Sequence, residues 1–530
     1  MAAPVRLAEL MAALSVATDY AMGQPVDYAL SATELALRLG ELAGYTDAQL
    51  RDTYYQSLLR FVGCNAETYT LAAIVGDEIA MRTEVAAIDT SDQGRMLGLV
   101  LRFIRQANPG TTPLALLGAI TRGLMSLGAL DTEFFPGHCE VAQRLGERLG
   151  FSAGFVTGLG QLYARWDGKG IPRIAGEAIT PAVRLVMLAQ DMTTFVRVGG
   201  VTAAVAVARQ RRARQYDPRL VDLFVASAHS LTDALDARQR WSLLLAREPG
   251  GPTLLDAAAL DRAIEVLADF ADIKSPWMLT HSRRVAQLAG DAAQRLRLAP
   301  ADQDRLRRAG LLHDLGRVGV SAGIWGRPGP LSEGEREKVR LHAYYTERVL
   351  ARGESLAALG ALASAAHERA DGSGYFRGRG ASADEPLAGL LAAADVYAAL
   401  VDDRPHRPAY TSSAAARILG DEARAGRLDV TAVSTVLECA GHRAPALSST
   451  SPALPVFALA LSSPAPGHAL TSREIDVLRT LARGNTNKQI ARLHGVSPKT
   501  IDNQIQSIYA KAGVRTRAGA TLYAMERRLL

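Results

Sequence analysis

The sequence predicts an all-α protein made of several domains. Three observations lead there. Most segments carry apolar residues at helical spacing and are rich in Ala, Leu and Arg. Alternating, strand-like runs are scarce. The last sixty residues punctuate themselves into short capped helices. At 530 residues the chain is too long for one core, so about two to four domains are expected. A chain 48% hydrophobic and 22% charged is ordinary for a globular protein.

The N-terminal stretch "MAAPVRLAELMAALSVATDYAMG" is interrupted by Glu9 and Asp19 and has no cleavage-site pattern, so no signal peptide is expected. The longest apolar run, "PLAGLLAAADVYAALV", has Asp395 at its middle, so no membrane span is expected either. Cys64, Cys139 and Cys439 lie far apart and form neither a disulfide framework nor a zinc pattern. These features point to a cytoplasmic protein with no membrane partner.

The first block runs over 1–245 and ends at the Gly/Pro break "AREPGGPT". The second covers 246–441. A Ser/Pro/Ala-rich stretch, 442–468, reads as a linker, and its inner "VFALAL" as an apolar patch for docking. The tail covers 469–530. The charge is uneven: residues 470–530 hold 11 Lys/Arg against 4 Asp/Glu, while the net charge of the whole chain is +6. The basic character therefore belongs to the tail, as expected of a nucleic-acid module. Only 6 of the 60 basic residues are lysine, a bias that carries no functional reading.

The first two blocks repeat each other. His342, Asp371 of "DGSG" and Asp395 are separated by 29 and then 24 residues, as are His138, Asp167 of "DGKG" and Asp191. Local context agrees, with "LLAAADVYAAL" against "LVMLAQDMTTF". The counterpart of "LLHDLGR" is "LLRFVGC", so Arg60 and Phe61 stand in place of His313 and Asp314. The first copy also carries an insertion of roughly 50 residues. It is expected to bind no catalytic metal and to serve as a dimer partner or sensor scaffold. Asp191 is expected there as a core carboxylate satisfied by local donors.

The second copy offers His281, His313, Asp314, His342, His367 and Asp395 as metal ligands. Imidazole and carboxylate without thiolate suit Mn, Fe, Ni, Co or Zn. His313 and Asp314 are about 100° apart in a helix and converge only near a helix end or bend, which Gly316 and Gly319 permit. Asp395 lies in an apolar, apparently buried helix, where a carboxylate needs a cation or donors. "DGSG" taken alone is a turn signal.

The set His281, His313-Asp314 and Asp395 resembles the HD phosphohydrolase superfamily. The surrounding "HDLGRVGV…LSEGEREKVRLHAYYTERVL…HERADGSGYF…ADVYAALVDDRPHRPA" is similar to its HD-GYP subgroup over about 150 residues. The resemblance implies two tandem HD-type helical bundles and a metal-dependent hydrolase of cyclic di-GMP or a related phosphoester. It implies Asp314 as a bridging ligand and His281, His313, His342 and Asp395 as terminal ligands. It implies catalytic roles for Asp314 and Arg317, and Arg404 and Arg407 on the substrate phosphates. The implied cofactor is a divalent metal, Mn or Fe, as one or two ions. Departures are plain. Ala366 replaces the first His of the family's "HHE". Arg317 replaces a lysine, Phe376 a proline, and Trp277 stands where a carboxylate would support a third metal.

In the tail, Thr471 with Glu474 forms a capping box, and Gly484 ends the first helix. Thr486 with Gln489 opens the second, Gly495 turns, and Ser497-Pro498 opens the third. Gly513 ends that helix and Thr516 opens a fourth. This is a helix-turn-helix. Ile501, Ile505 and Ile508 are expected inward, leaving Lys499, Thr500, Asn503, Gln504 and Ser507 outward to read double-stranded DNA. Arg515 and Arg517 are placed for phosphates. The whole tail, with "LTSRE", "NKQIA", "SPKTI" and "VRTRAGA", resembles a LuxR-type DNA-binding domain, which implies a homodimer through the fourth helix.

These readings imply a transcriptional regulator whose HD-GYP-like block binds metal and a nucleotide-like phosphate ligand. Whether that ligand is hydrolysed or only sensed stays open at this level. A nucleoid-binding scaffold is a third reading.

Overall fold

The computed structural model describes residues 4–86, 88, 93–127, 134–233, 240–378, 386–442 and 470–530. The expected linker and its apolar patch lie outside these, apart from His442. The described residues form helices joined by turns, with no strand among them, so the chain is all-α.

Chain contacts divide the protein into two units. In the first, the helices Tyr28–Leu42, Pro181–Arg211 and Pro218–Thr232 pack around Leu35, Leu39, Leu188, Met192 and Phe224. Pro181–Arg211 is long and apolar enough to cross a membrane, although no span is expected from the sequence. Its helical geometry breaks at Gly199 and Gly200, and residues on both sides of the break lie in this core. The insertion of the first copy supplies helices including Gln93–Ala107, whose Leu99, Val100, Phe103 and Ile104 pack with Leu71 and Val75. The Gly/Pro break is tied to this unit as well. Buried Glu248 accepts from Tyr55 Oη at 2.7 Å and from Arg6 at 3.0 Å.

In the second unit, the helices His281–Arg295, Pro300–Leu312, Glu333–Leu350 and Pro386–Val401 surround the expected ligands. Leu288, Leu306, Leu312, Val349, Leu391 and Ala394 are buried between them.

The duplication recurs as a shared steric device. Helix Asp47–Leu58 is followed by a 3-10 turn at Val62–Asn65, and helix Pro300–Leu312 by one at Leu315–Gly319. Each turn carries a glycine against the backbone of its own repeat. A Cβ on Gly63 would lie 1.9 Å from the His138 carbonyl oxygen, and one on Gly316 would lie 2.1 Å from that of His342. Only hydrogen fits there.

In the tail, both capping boxes form, Thr471 with Glu474 and Thr486 with Gln489. Gly495 closes the second helix at φ +65°, and the Ser497 hydroxyl accepts from the Thr500 N–H at 3.1 Å. Helices Ser472–Ala482, Asn487–His494 and Pro498–Ala512 enclose Val477, Leu478, Leu481, Ile490, Ile501, Ile505 and Ile508.

Candidate functional site

The second unit gathers all six expected ligands. His281 opens its helix, His313 ends one, and Asp314 begins the 3-10 turn. His342 and Asp395 project from the middles of their helices, and His367 follows helix Glu354–Ala363. All six are buried. The helix end after Leu312 lets the adjacent His313 and Asp314 converge. That end is pinned by Thr346, whose hydroxyl donates to the His313 carbonyl and accepts from the Gly316 N–H. Buried Lys274 donates to the Val318 carbonyl at 2.6 Å.

The four imidazoles share one orientation. Each turns Nδ1 to an oxygen: His281 to Asp402 at 3.1 Å, His313 to the Gly310 carbonyl at 2.8 Å, His342 to the Val339 carbonyl, and His367 to Asp395 at 3.3 Å. A carbonyl or carboxylate only accepts, so each Nδ1 is held as a donor and Nε2 is the nitrogen left to ligate an ion. The Nε2 atoms face the two carboxylates, and those of His342 and His367 also face each other. Asp395 Oδ1 is 3.2 Å from His281 Nε2 and 3.5 Å from that of His313. Asp314 Oδ2 lies 3.4 Å from His313 Nε2, and Oδ1 lies 3.2 Å from His342 Nε2 and 3.5 Å from His367 Nε2.

Two overlapping ligand triads result, His281–His313–Asp314 and Asp314–His342–His367. They share Asp314. His313 Nε2 and Asp314 Oδ1 are buried without a hydrogen-bond partner, so the donor set fits a divalent cation.

The surrounding charges keep both carboxylates ionised. Burial by itself would raise both carboxyls. Arg317, His313 and the other imidazoles outweigh it at Asp314, and His367, His281 and His313 do so at Asp395, so both stay well below the ordinary carboxylate range. Burial pushes His281 down to about 4, whereas at His313 it is outweighed by Asp314 and Asp395, which raise that imidazole to about 9.

The arginines divide. Arg317 donates to Asp314 Oδ2 at 2.8 Å and stacks on Trp325, its guanidinium carbon 3.7 Å from the ring centre. Arg404 donates to the Trp277 carbonyl and lines a crevice of about 370 Å³ with Trp277, Asp403, His406 and Arg407. Burial lowers its pKa to about 10, with Arg317 adding to the effect. Arg407, in the same crevice lining, also faces carbonyls. Its guanidinium donates to Ala399, Leu400, Asp402 and Pro408, bracing the C-terminal end of helix Pro386–Val401. Ala366 is fully buried. The "DGSG" turn closes on itself, with Asp371 Oδ1 accepting from the Ser373 N–H at 2.9 Å.

Sequence reasoning missed Asp402, Trp325, Thr346, Lys274 and Tyr375, which stacks on His367 at 5.1 Å. None belongs to a ligand pattern. Asp402 carried the only signal, its place next to "DRPHR".

The corresponding place in the first unit is filled by protein groups. His138 Nδ1 meets Tyr163 Oη at 3.0 Å, and burial, with Arg82 and Arg60, lowers its pKa to about 3. Asp191 accepts from Tyr216, from Gln215 at 3.0 Å and from Arg211 at 3.3 Å. The Arg60 guanidinium lies over Tyr163. Asp191 is thus satisfied by local donors.

Residues 265–432 match the family model described as HD domain, and 468–524 the one described as bacterial regulatory proteins, luxR family. The chain is 30% identical over 416 residues to 3'3'-cGAMP-specific phosphodiesterase 3 of Vibrio cholerae serotype O1, covering 76% of this chain and 88% of that protein. This chain belongs to the HD-GYP phosphodiesterase family. It is also 33% identical over 147 residues to the cyclic di-GMP phosphodiesterase of Thermotoga maritima, a match to 27% of this chain and 39% of that protein. The fold is that of a crystal structure of a cyclic GMP-AMP specific phosphodiesterase of V. cholerae, V-cGAP3. The TM-score is 0.55 at 24% identity, over 82% of this chain and 97% of the other. This HD-GYP chain adds a LuxR-type DNA-binding domain at its C-terminal end.

In that domain, helix Pro498–Ala512 leaves Lys499, Thr500 and Asn503 exposed, and Arg515 is exposed after it. Gln504 and Arg517 are half-buried. Ser507 departs from the outward placement expected of it. Its hydroxyl donates to Glu474 Oε1 at 2.8 Å, a buried carboxylate that also accepts from Lys511.

Proposed function

We propose that this chain is a DNA-binding regulator whose HD-GYP unit holds one or two divalent ions, Mn or Fe, and binds and hydrolyses a 3',3'-cyclic dinucleotide. The observation that carries the reading is Asp314, a buried carboxylate with one oxygen toward each of two histidine groups. The relatives' printed substrates, cGAMP and cyclic di-GMP, name the ligand class.

The bound ions would lower the pKa of water to supply hydroxide near neutral pH and would stabilise charge on the phosphoryl oxygens. The chain's own groups do the rest. His281, His313, His342, His367, Asp314 and Asp395 are the ligands, held with Nε2 outward by their Nδ1 hydrogen bonds. Arg317 counters the charge of Asp314. Arg404, at the crevice beside Trp277, binds a substrate phosphate. Lys499, Thr500, Asn503 and Gln504 face DNA bases, and Arg515 and Arg517 its phosphates, in a homodimer on double-stranded DNA.

A second reading, binding without turnover, is favoured by Ala366, which removes one ligand of the family pattern. One experiment separates them. Anaerobically purified protein and Asp314→Ala are assayed for bound metal, and for hydrolysis of cyclic GMP-AMP and cyclic di-GMP with added Mn. Metal with turnover, both lost in the variant, establishes the enzyme. Metal without turnover establishes the sensor. Absence of metal refutes both.

A further inference from the structure

Helix Pro386–Val401 and the residue just past its end put two carboxylates on one imidazole. Asp395 Oδ1 lies 3.2 Å from His281 Nε2, and Asp402 Oδ2 lies 3.1 Å from His281 Nδ1. The two aspartates are seven residues apart, two helical turns, so they fall on one face. His281 itself is 1% exposed, and the Asp402 side chain 15%. Asp402 Oδ1 is further paired with Arg284, and its Oδ2 lies 3.5 Å from Arg404 Nη2.

From this geometry we infer that Asp402 is a positioning residue for the metal centre: it holds the His281 imidazole in the tautomer and ring orientation that turn the Nε2 lone pair toward the ions. The inference rests on the metal-dependent reading above. His313 and His342 receive the same service from backbone carbonyls of their own helices, Gly310 and Val339. His281 cannot. It is the first residue of its helix, and the carbonyl three residues before it, Met278, accepts from the His281 backbone N–H at 2.9 Å instead of from Nδ1. A side chain from elsewhere in the fold must take that role, and Asp402 is the acceptor within reach. As a carboxylate it also raises the basicity of the ligand, as outer-shell partners do at metal sites. Its position near Arg404 ties the same carboxylate to the arginine that faces the crevice.

The test uses the full chain with Asp402→Ala, Asp402→Asn, Arg284→Ala and His281→Ala. Mn affinity is measured by competition with a fluorescent chelator, and the Co(II)-loaded proteins are compared by visible absorption. Asp402→Ala is expected to lose about 10- to 100-fold in Mn affinity and to change the Co(II) spectrum. Asp402→Asn, whose amide oxygen still accepts from Nδ1, is expected to recover part of both. Arg284→Ala removes the ion pair with the acceptor left in place and is expected to bind Mn nearly as wild type. Equal affinity in wild type and Asp402→Ala, with His281→Ala weakened, overturns the role of Asp402 alone. An equal loss in Asp402→Ala and Arg284→Ala overturns it too, in favour of an ion-pair strut. No Mn uptake by wild type refutes the metal centre and this role with it.

Discussion

His342 and His367 meet Nε2 to Nε2 at 2.7 Å. Two nitrogens at that distance share a proton or converge on a cation. The Nδ1 atoms of both already face oxygen acceptors, so Nε2 is the nitrogen each has left for a cation. With Asp314 Oδ1 at 3.2 and 3.5 Å from them, the three groups form one of the two ligand triads. His342→Ala should therefore lower metal content by one ion per chain and spare the His281–His313–Asp314 half. Elemental analysis of both proteins after identical dialysis checks this. Loss of all metal would mean the two halves do not fill independently.

Ala366 precedes His367 and is fully buried beside this half. Ala366→His restores the family's ligand pair. The variant should retain more Mn after dialysis at limiting metal, and turnover of a cyclic dinucleotide should rise with it. Unchanged retention would show that the position no longer addresses the site.

Gly316 is the close contact that lets the His313-Asp314 turn approach helix Glu333–Leu350. A methyl group there would meet the His342 carbonyl at 2.1 Å, backbone that cannot yield cheaply. Gly316→Ala should cost about 1–3 kcal/mol of stability. It should also displace the His313-Asp314 turn from His342 and so weaken metal binding. Thermal melts with and without Mn report both effects. A variant with unaltered melting and metal content would contradict the packing described.

Glu474 gives the DNA-binding domain an acid-sensitive brace. Burial would raise its pKa. Lys511, at 2.8 Å, and the Thr471 N–H and Ser507 hydroxyl outweigh that and lower it to about 2. The folded value lies below the ordinary 4.5, so the unfolded chain binds the proton more readily. The contribution is fully present above about pH 4.5 and fades as pH falls toward 2. The protection of amides in helix Ser472–Ala482, taken relative to intrinsic exchange at each pH, should fall over that window. Glu474→Gln should exchange faster at neutral pH and lose the pH dependence.

The exposed residues of helix Pro498–Ala512 should separate by role. Asn503→Ala should relax base preference at one position and cost about 1–3 kcal/mol on the preferred site. Arg515→Ala should weaken binding to all sequences alike and lower the salt slope by about 1. Operator selection from a random library, followed by titration at several salt concentrations, distinguishes the two. A uniform loss for Asn503→Ala would remove it from base reading.

Legibility followed the range of the interactions. The capping boxes at Thr471 and Thr486, the Gly495 turn and the inward Ile501, Ile505 and Ile508 depend on residues three or four positions apart, so the sequence by itself determined them. It also determined the duplication and the ligand types, because spacing and side-chain chemistry are written in order along the chain. Only the tertiary structure decided which oxygen of Asp314 faces which histidine and that Arg407, which lines the crevice with Arg404, also braces a helix end. It alone turned Ser507 toward Glu474 and set Asp402 on His281. Each of these is a contact between helices or turns brought together by packing, or a choice of side-chain direction among several open to an exposed residue. Asp402 lies 121 positions from His281 in the chain, and no local rule links a carboxylate after one helix to the first residue of another. Burial of the apolar faces brings them together, and the cost of leaving a buried imidazole N–H unpaired makes the contact necessary.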